Sequence, residues 1–229
     1  MLGLVDALWA LHEINCRHGD LKPENILHSK DSKDRNNPYG TLVIADVGVS
    51  KVHQQRTELR HDPTNTKATT PCYEAPEAEF DRLNPRGRRY DMWSLGCVFM
   101  ELAIWLLYGH KAIEGFKQNR RPNSDVFPQK AAYYVRSSAN DANAVIHPAV
   151  PEAFDAIKND PRCGEGTGLA ALVDIIACDL IVIKLEKRAY ADQLKDKFSD
   201  LLKKARSNPD YLIRRAEPAP KVPKVFRAS

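Results

Sequence analysis

The chain is 229 residues long, 43% of them hydrophobic, and its 34 basic and 30 acidic side chains leave a net charge of +4. That is enough apolar content for one buried core, and too little charge to argue for a nucleic-acid partner. The five cysteines (Cys16, Cys72, Cys97, Cys163, Cys178) are scattered without metal-ligand spacing and fit free thiols in a reducing compartment.

The first residues lack a basic n-region and Asp6 interrupts their apolar run, so a signal peptide is not expected. Leu4, Leu8, Leu11 and Ile14 recur at helical spacing, with Asp6 and Glu13 off the stripe, which predicts an amphipathic helix over 2–15. Next comes His18-Gly19-Asp20-Leu21-Lys22-Pro23-Glu24-Asn25. Asp20 can accept a proton, Lys22 can neutralise phosphate charge, and Asn25 offers a carbonyl oxygen to a hard cation. Pro23 fixes the backbone between them. Each residue taken singly reads as part of a polar turn after a helix; the combination sets the stretch apart.

Ile26-Leu27-His28 reads as a short strand, Asn37-Pro38-Tyr39-Gly40 as a turn, and Thr41-Leu42-Val43-Ile44-Ala45 as a β-branched strand ending at Asp46. A hairpin of the two strands brings Asn25 and Asp46 together. Residues 46–77 are polar in the middle and poor in structure signals. Arg86 to Arg89 form a charged, solvated loop. Residues 90–108 are apolar nearly all round, as a helix buried on every side should be. Within them Met92 to Tyr108 is the one membrane candidate, but it contains Glu101 and falls short of the ~20 residues a span needs.

Ile113 to Gln118 suggest a short helix. Residues 120–167 hold five prolines and little periodicity, and read as an enlarged surface insert that could instead bind a partner or substrate. Residues 169–185 and 191–205 read as helices, the latter with Leu194, Phe198, Leu201 and Leu202 on one face. The tail, 207–229, is rich in Pro and Lys/Arg and reads as disordered.

The stretch from His18 to Asn25 resembles the catalytic loop of eukaryotic protein kinases, H-R-D-x-K-x-x-N. Asp46-Val47-Gly48 then stands where that family has its metal-binding D-F-G. Ala75-Pro76-Glu77 matches the A-P-E that closes the activation segment, and Asp91-Met92-Trp93-Ser94-Leu95-Gly96 resembles the start of the central helix of the large lobe. The resemblance implies a mainly α fold: the kinase large (C-terminal) lobe over 1–206, a helical bundle with a small β-hairpin carrying the catalytic and metal-binding loops. It implies ATP and Mg²⁺ as cofactors and a protein serine or threonine as acceptor, because Lys22 fits that class.

By the same resemblance Asp20 orients the hydroxyl and takes its proton, Lys22 stabilises the transferring phosphoryl group, and Asn25 and Asp46 hold Mg²⁺. Thr70 hydrogen-bonds Asp20 and Lys22. His18 and Asp91 support the loop, and Arg188 pairs with Glu77 to lock the activation segment. Two substitutions depart from the family pattern. Gly19 replaces the Arg that in many kinases grips a phosphorylated loop residue, with Arg17 one place out of register, and Val47 replaces Phe.

Residues 1–229 contain no glycine-rich phosphate loop, strand lysine or partner glutamate of a small lobe. Two readings follow. One is the catalytic portion of an ATP-dependent Ser/Thr kinase, with the small lobe supplied upstream in a longer form. The other is a truncated, inactive kinase-like lobe that binds proteins, at the apolar face a small lobe would cover or at the 120–167 insert. In either case the expected setting is intracellular, in cytoplasm or nucleus, with a protein substrate or partner and neither nucleic acid nor membrane.

Overall fold

The computed structural model describes residues 1–30, 40–46, 51–52, 71–81, 86–121, 131–137 and 143–228. Helix α1 (Leu2–Glu13) buries Leu4, Val5, Leu8 and His12. It stops at Glu13, two residues before the expected end, because Asn15 takes a left-handed backbone (φ 56°). Ile14 therefore drops off the apolar stripe and is 62% exposed.

Strands β1 (Cys16–Arg17), β2 (Ile26–Ser29), β3 (Thr41–Ile44) and β4 (Lys51–Val52) form two small antiparallel ribbons, β1 with β4 and β2 with β3. The β2–β3 register pairs Ile26 with Ile44 and Ser29 with Thr41. Gly40, just before β3, requires glycine: φ is +74°, and a Cβ would lie 2.6 Å from the His28 ring and the Ser29 carbonyl oxygen, while residues 37–39 of the expected turn lie outside the described residues.

A short helix α2 (Glu77–Phe80) leads toward α3 (Arg89–Tyr108), the axis of the molecule. From Tyr90 to Met100 every residue of α3 is buried, as its all-round apolar sequence requires. Among the described residues α3 alone is long and apolar enough to cross a membrane, and most of its apolar window is covered by protein. Helix α4 (His110–Asn119) is longer than the expected 113–118 and buries Ala112, Gly115 and Phe116.

The 120–167 stretch departs from its reading as a surface insert. Strands β5 (Tyr134–Arg136) and β6 (Ala144–Ile146) pair as a hairpin, and α5 (Ala149–Lys158) buries Ala149, Val150, Ala153 and Ile157. Two of the prolines that obscured this segment begin elements: Pro148 is the N-cap residue of α5, and Pro161 opens a 3₁₀ turn whose Asp160 side chain accepts from Arg162 N–H.

The expected helix over 169–185 divides. Helix α6 (Gly168–Ile175) passes into a π-turn (Ile176–Leu180) and ends at Ile181. There it crosses α3 so closely that a Cβ on Gly96 would lie 2.7 Å from Leu180 Cβ. Helix α7 (Ala191–Ser207) packs against α1 and stacks Phe198 on Phe99 of α3, with ring centroids 5.3 Å apart.

The tail also departs from expectation. Residues 209–211 and 224–226 form 3₁₀ turns, and Phe226 is 1% exposed. Its composition hid one aromatic anchor, which gives the segment apolar burial to offset the cost of ordering.

Candidate active site

The loop from His18 to Asn25 hangs from the buried Asp91 at the start of α3. Asp91 Oδ2 accepts from His18 N–H at 2.9 Å, and Oδ1 from Gly19 N–H at 2.9 Å. Gly19 sits at φ +85°, where a residue without Cβ is at ease. His12 Nε2 lies 3.0 Å from Asp91 Oδ2 and is a third partner that the sequence did not single out. Its signal was positional: His12 follows Leu8 by four on the buried stripe of α1.

Burial opposes ionisation of Asp91. The hydrogen bond and charge of His12, the Arg17 guanidinium and the Gly19 N–H outweigh it and hold the carboxyl below its ordinary pKa. His18 is fully buried, and its two ring nitrogens join separate parts of the site. Nδ1 accepts from Asp20 N–H at 3.3 Å, so Nε2 carries the proton toward Ala45 O at 3.0 Å. The imidazole thus ties the catalytic-type loop to the residue before Asp46.

Leu21, 1% exposed, is the apolar anchor between Asp20 and Lys22. Lys22 Nζ donates to Asp20 Oδ2 at 2.7 Å, and Asn25 Nδ2 to the Asp20 carbonyl oxygen at 2.8 Å. Asn25 is itself buried and forms the start of the β2–β3 hairpin. Ala45 N–H donates to Asn25 O at 2.8 Å, so Asn25 and Asp46 stand at adjoining ends of paired strands. Asp46 holds φ +58°, a sparsely populated conformation for a residue with a side chain, of the sort found where function constrains the backbone.

The donor set suits a hard cation. Asn25 turns its amide nitrogen to Asp20, leaving its carbonyl oxygen, and Asp46 supplies a carboxylate.

Residues 71–77 are fastened to α3 and to the Arg188 loop. Arg188 makes a two-pronged pair with Glu77, Nη1 to Oε1 at 2.8 Å and Nη2 to Oε2 at 3.2 Å, and is 2% exposed. The same guanidinium donates to the carbonyls of Val182 and Arg89. Ser94 Oγ donates to Tyr73 O at 2.8 Å, and Tyr73 OH to Glu101 Oε2 at 2.9 Å. Burial and the Glu101 carboxylate push the Tyr73 phenol far above its ordinary range. Ser94 stood in the Asp91–Gly96 motif with no role of its own assigned, and Glu101 lay inside an apolar helix and carried no motif. Thr70, Val47 and Gly48 lie outside the described residues.

A family model described as the protein kinase domain matches residues 1–203. The chain belongs to the protein kinase family. It is 34% identical over 142 residues to myosin light chain kinase A of Dictyostelium discoideum, which covers 60% of this chain and 43% of that protein. It is 35% identical over 101 residues to serine/threonine-protein kinase 36 of Pongo abelii, 44% of this chain and 7% of that one. A probable serine/threonine-protein kinase HAL5-like of Eremothecium gossypii matches at 29% over 148 residues, 64% of this chain and 20% of the other. The chain spans less than half the length of each of these relatives. The mainly α fold, with its paired β2–β3 strands, is that of a kinase large lobe.

Proposed function

We propose that this chain carries the catalytic-loop half of an ATP-dependent protein kinase that phosphorylates serine or threonine. The observation that carries the reading is the Asp20–Lys22–Asn25 cluster, held at 2.7 and 2.8 Å and suspended from one buried carboxylate, Asp91. Asp20 orients an acceptor hydroxyl and takes its proton. Lys22, already paired with Asp20, balances charge on the phosphoryl group as it moves. Asn25 and Asp46 hold Mg²⁺, which when bound neutralises phosphate charge. Catalysis of this type rests on positioning and electrostatics, so each of these groups matters through its place.

The test is calorimetric titration of the chain with MgATP. Micromolar binding that Asp46→Ala abolishes supports the reading, and no binding overturns it. Residues 1–229 hold no glycine-rich loop or strand lysine for the α- and β-phosphates, so turnover by this stretch alone is expected to be slight. Robust turnover that Asp46→Ala eliminates would refute that expectation.

A second reading, a lobe that binds another protein, is favoured by one surface. Trp105 and Leu106 are 54% and 55% exposed, and Trp105 borders an apolar cavity of about 220 Å³ with Ile26, Leu42, Val98 and Leu102. Such a face fits an apolar protein surface. No disulfide forms among the described cysteines, in keeping with a cytoplasmic or nuclear setting.

A further inference from the structure

The tail enters the core at one point, and from there buried contacts run without a gap to residues 71–77. The Phe226 ring lies 5.0 Å from that of Tyr108 and meets Phe116 of α4 edge-on at 6.0 Å. Asn119 Nδ2 clamps the flanking backbone, donating to Val225 O at 2.9 Å and Arg227 O at 3.2 Å. Gly115 permits the approach, because a Cβ there would collide with the Phe226 carbonyl.

Beyond α4, Phe116 meets Tyr133 edge-on at 5.8 Å. The Arg120 guanidinium sits in the corner made by these two rings, 3.9 Å from each centroid. Its Nε donates to Ala131 O, while Nη1 and Nη2 have no hydrogen-bond partner among the described residues. Glu101 Oε1 stands 3.6 Å from Nη2. The cation is therefore held by two aromatic faces and one carboxylate rather than by a fork of hydrogen bonds. That carboxylate also receives Tyr133 OH on Oε1 at 3.2 Å and Tyr73 OH on Oε2 at 2.9 Å. Arg120, Tyr133, Glu101 and Tyr73 are all buried.

We propose that Phe226 is a positioning residue for residues 71–77, acting through Phe116, Arg120, Tyr133 and Glu101. The docked tail fixes one of the two rings against which Arg120 rests. When Phe226 leaves, Phe116 loses its support, and the buried cation, held otherwise by a single hydrogen bond from Nε to Ala131 O, draws Glu101 away from Tyr73. The segment ending in Ala75-Pro76-Glu77 then loosens. Its importance for phosphorylation rests on the kinase reading above; the mechanical link does not.

The test is amide hydrogen exchange on the full chain. Phe226→Ala is expected to speed exchange across residues 72–80 by about fivefold or more, as couplings between contacting residues do. The same change should leave α1 and α7 unaltered. Phe226→Leu, which keeps apolar volume and loses the ring, should act in the same direction and serves where the alanine variant folds poorly. Tyr133→Phe removes the hydroxyl that, beside the Arg120 cation, joins the relay to Glu101. In that background the increment caused by the Phe226 change should fall below half, whereas a merely structural tail would act independently of Tyr133. Unchanged exchange at 72–80, acceleration spread evenly over α1, α3 and α7, or strict additivity with Tyr133→Phe overturns the proposal. The readout does not need catalysis, so failed MgATP binding would sink the functional reading and leave this one standing.

Discussion

Replacing Asp91 by Asn tests how the catalytic-type loop is held. Asp91 is buried and accepts from His18 N–H, Gly19 N–H and His12 Nε2 at 2.9, 2.9 and 3.0 Å. Asparagine keeps the shape but turns one oxygen into an NH₂ donor. Its cheaper orientation places that donor at the Oδ1 position, against Gly19 N–H, and strands one buried group. Stranding costs about 1–3 kcal/mol, and the two remaining bonds lose their charge assistance. The sum is roughly 3 kcal/mol, a large share of the ~5–15 kcal/mol that stabilises a domain.

The assay is urea unfolding of both proteins between pH 7 and acid. The folded Asp91 carboxyl lies below its ordinary value of 3.8, so its ionisation stabilises the fold fully above that value. The contribution fades as pH falls through the folded pKa. The gap between wild type and Asp91→Asn should therefore be widest at neutral pH and begin to close below about pH 4. Equal stability of the two proteins at pH 7, or a gap that widens on acidification, would refute the reasoning.

Substitutions at two further positions probe the frame. Arg188→Ala leaves Glu77 without its two-pronged partner and removes donors from the Val182 and Arg89 carbonyls, so urea unfolding should register a loss of about 3–5 kcal/mol. Arg188→Lys should recover little, because one ammonium cannot span both oxygens of Glu77. Gly96→Ala drives a Cβ into Leu180 at 2.7 Å and Ile181 at 3.0 Å, and should cost about 1–3 kcal/mol in the same assay, with near-ultraviolet circular dichroism reporting the disturbed α3 packing.

The sequence by itself determined the elements whose chemistry or periodicity is local. Asp20, Lys22 and Asn25 lie within six residues of one another, so their meeting needed little more than a rigid turn at Pro23. The β2–β3 hairpin could be read because strand, turn and strand are contiguous, and α3 because a helix with no polar face has to be buried. Asp91 and Arg188 were legible only through resemblance to a family, since nothing local says that a carboxylate in α3 will hold backbone amides more than seventy residues upstream.

Only the tertiary structure decided the rest. A single histidine on an apolar stripe has no local signature; packing of α1 on α3 made His12 a partner of Asp91. Prolines and glycines between 120 and 167 masked a buried helix because their effect depends on whether they sit at an element's start or its middle, and Pro148 and Pro161 sit at starts. The tail's charge and prolines argue for disorder over a local window. One buried aromatic ring, one Asn clamp and one glycine on another helix reversed that outcome, through contacts more than a hundred residues apart in sequence. Long-range burial of this kind is a property of the assembled core, and no window of the sequence contains it.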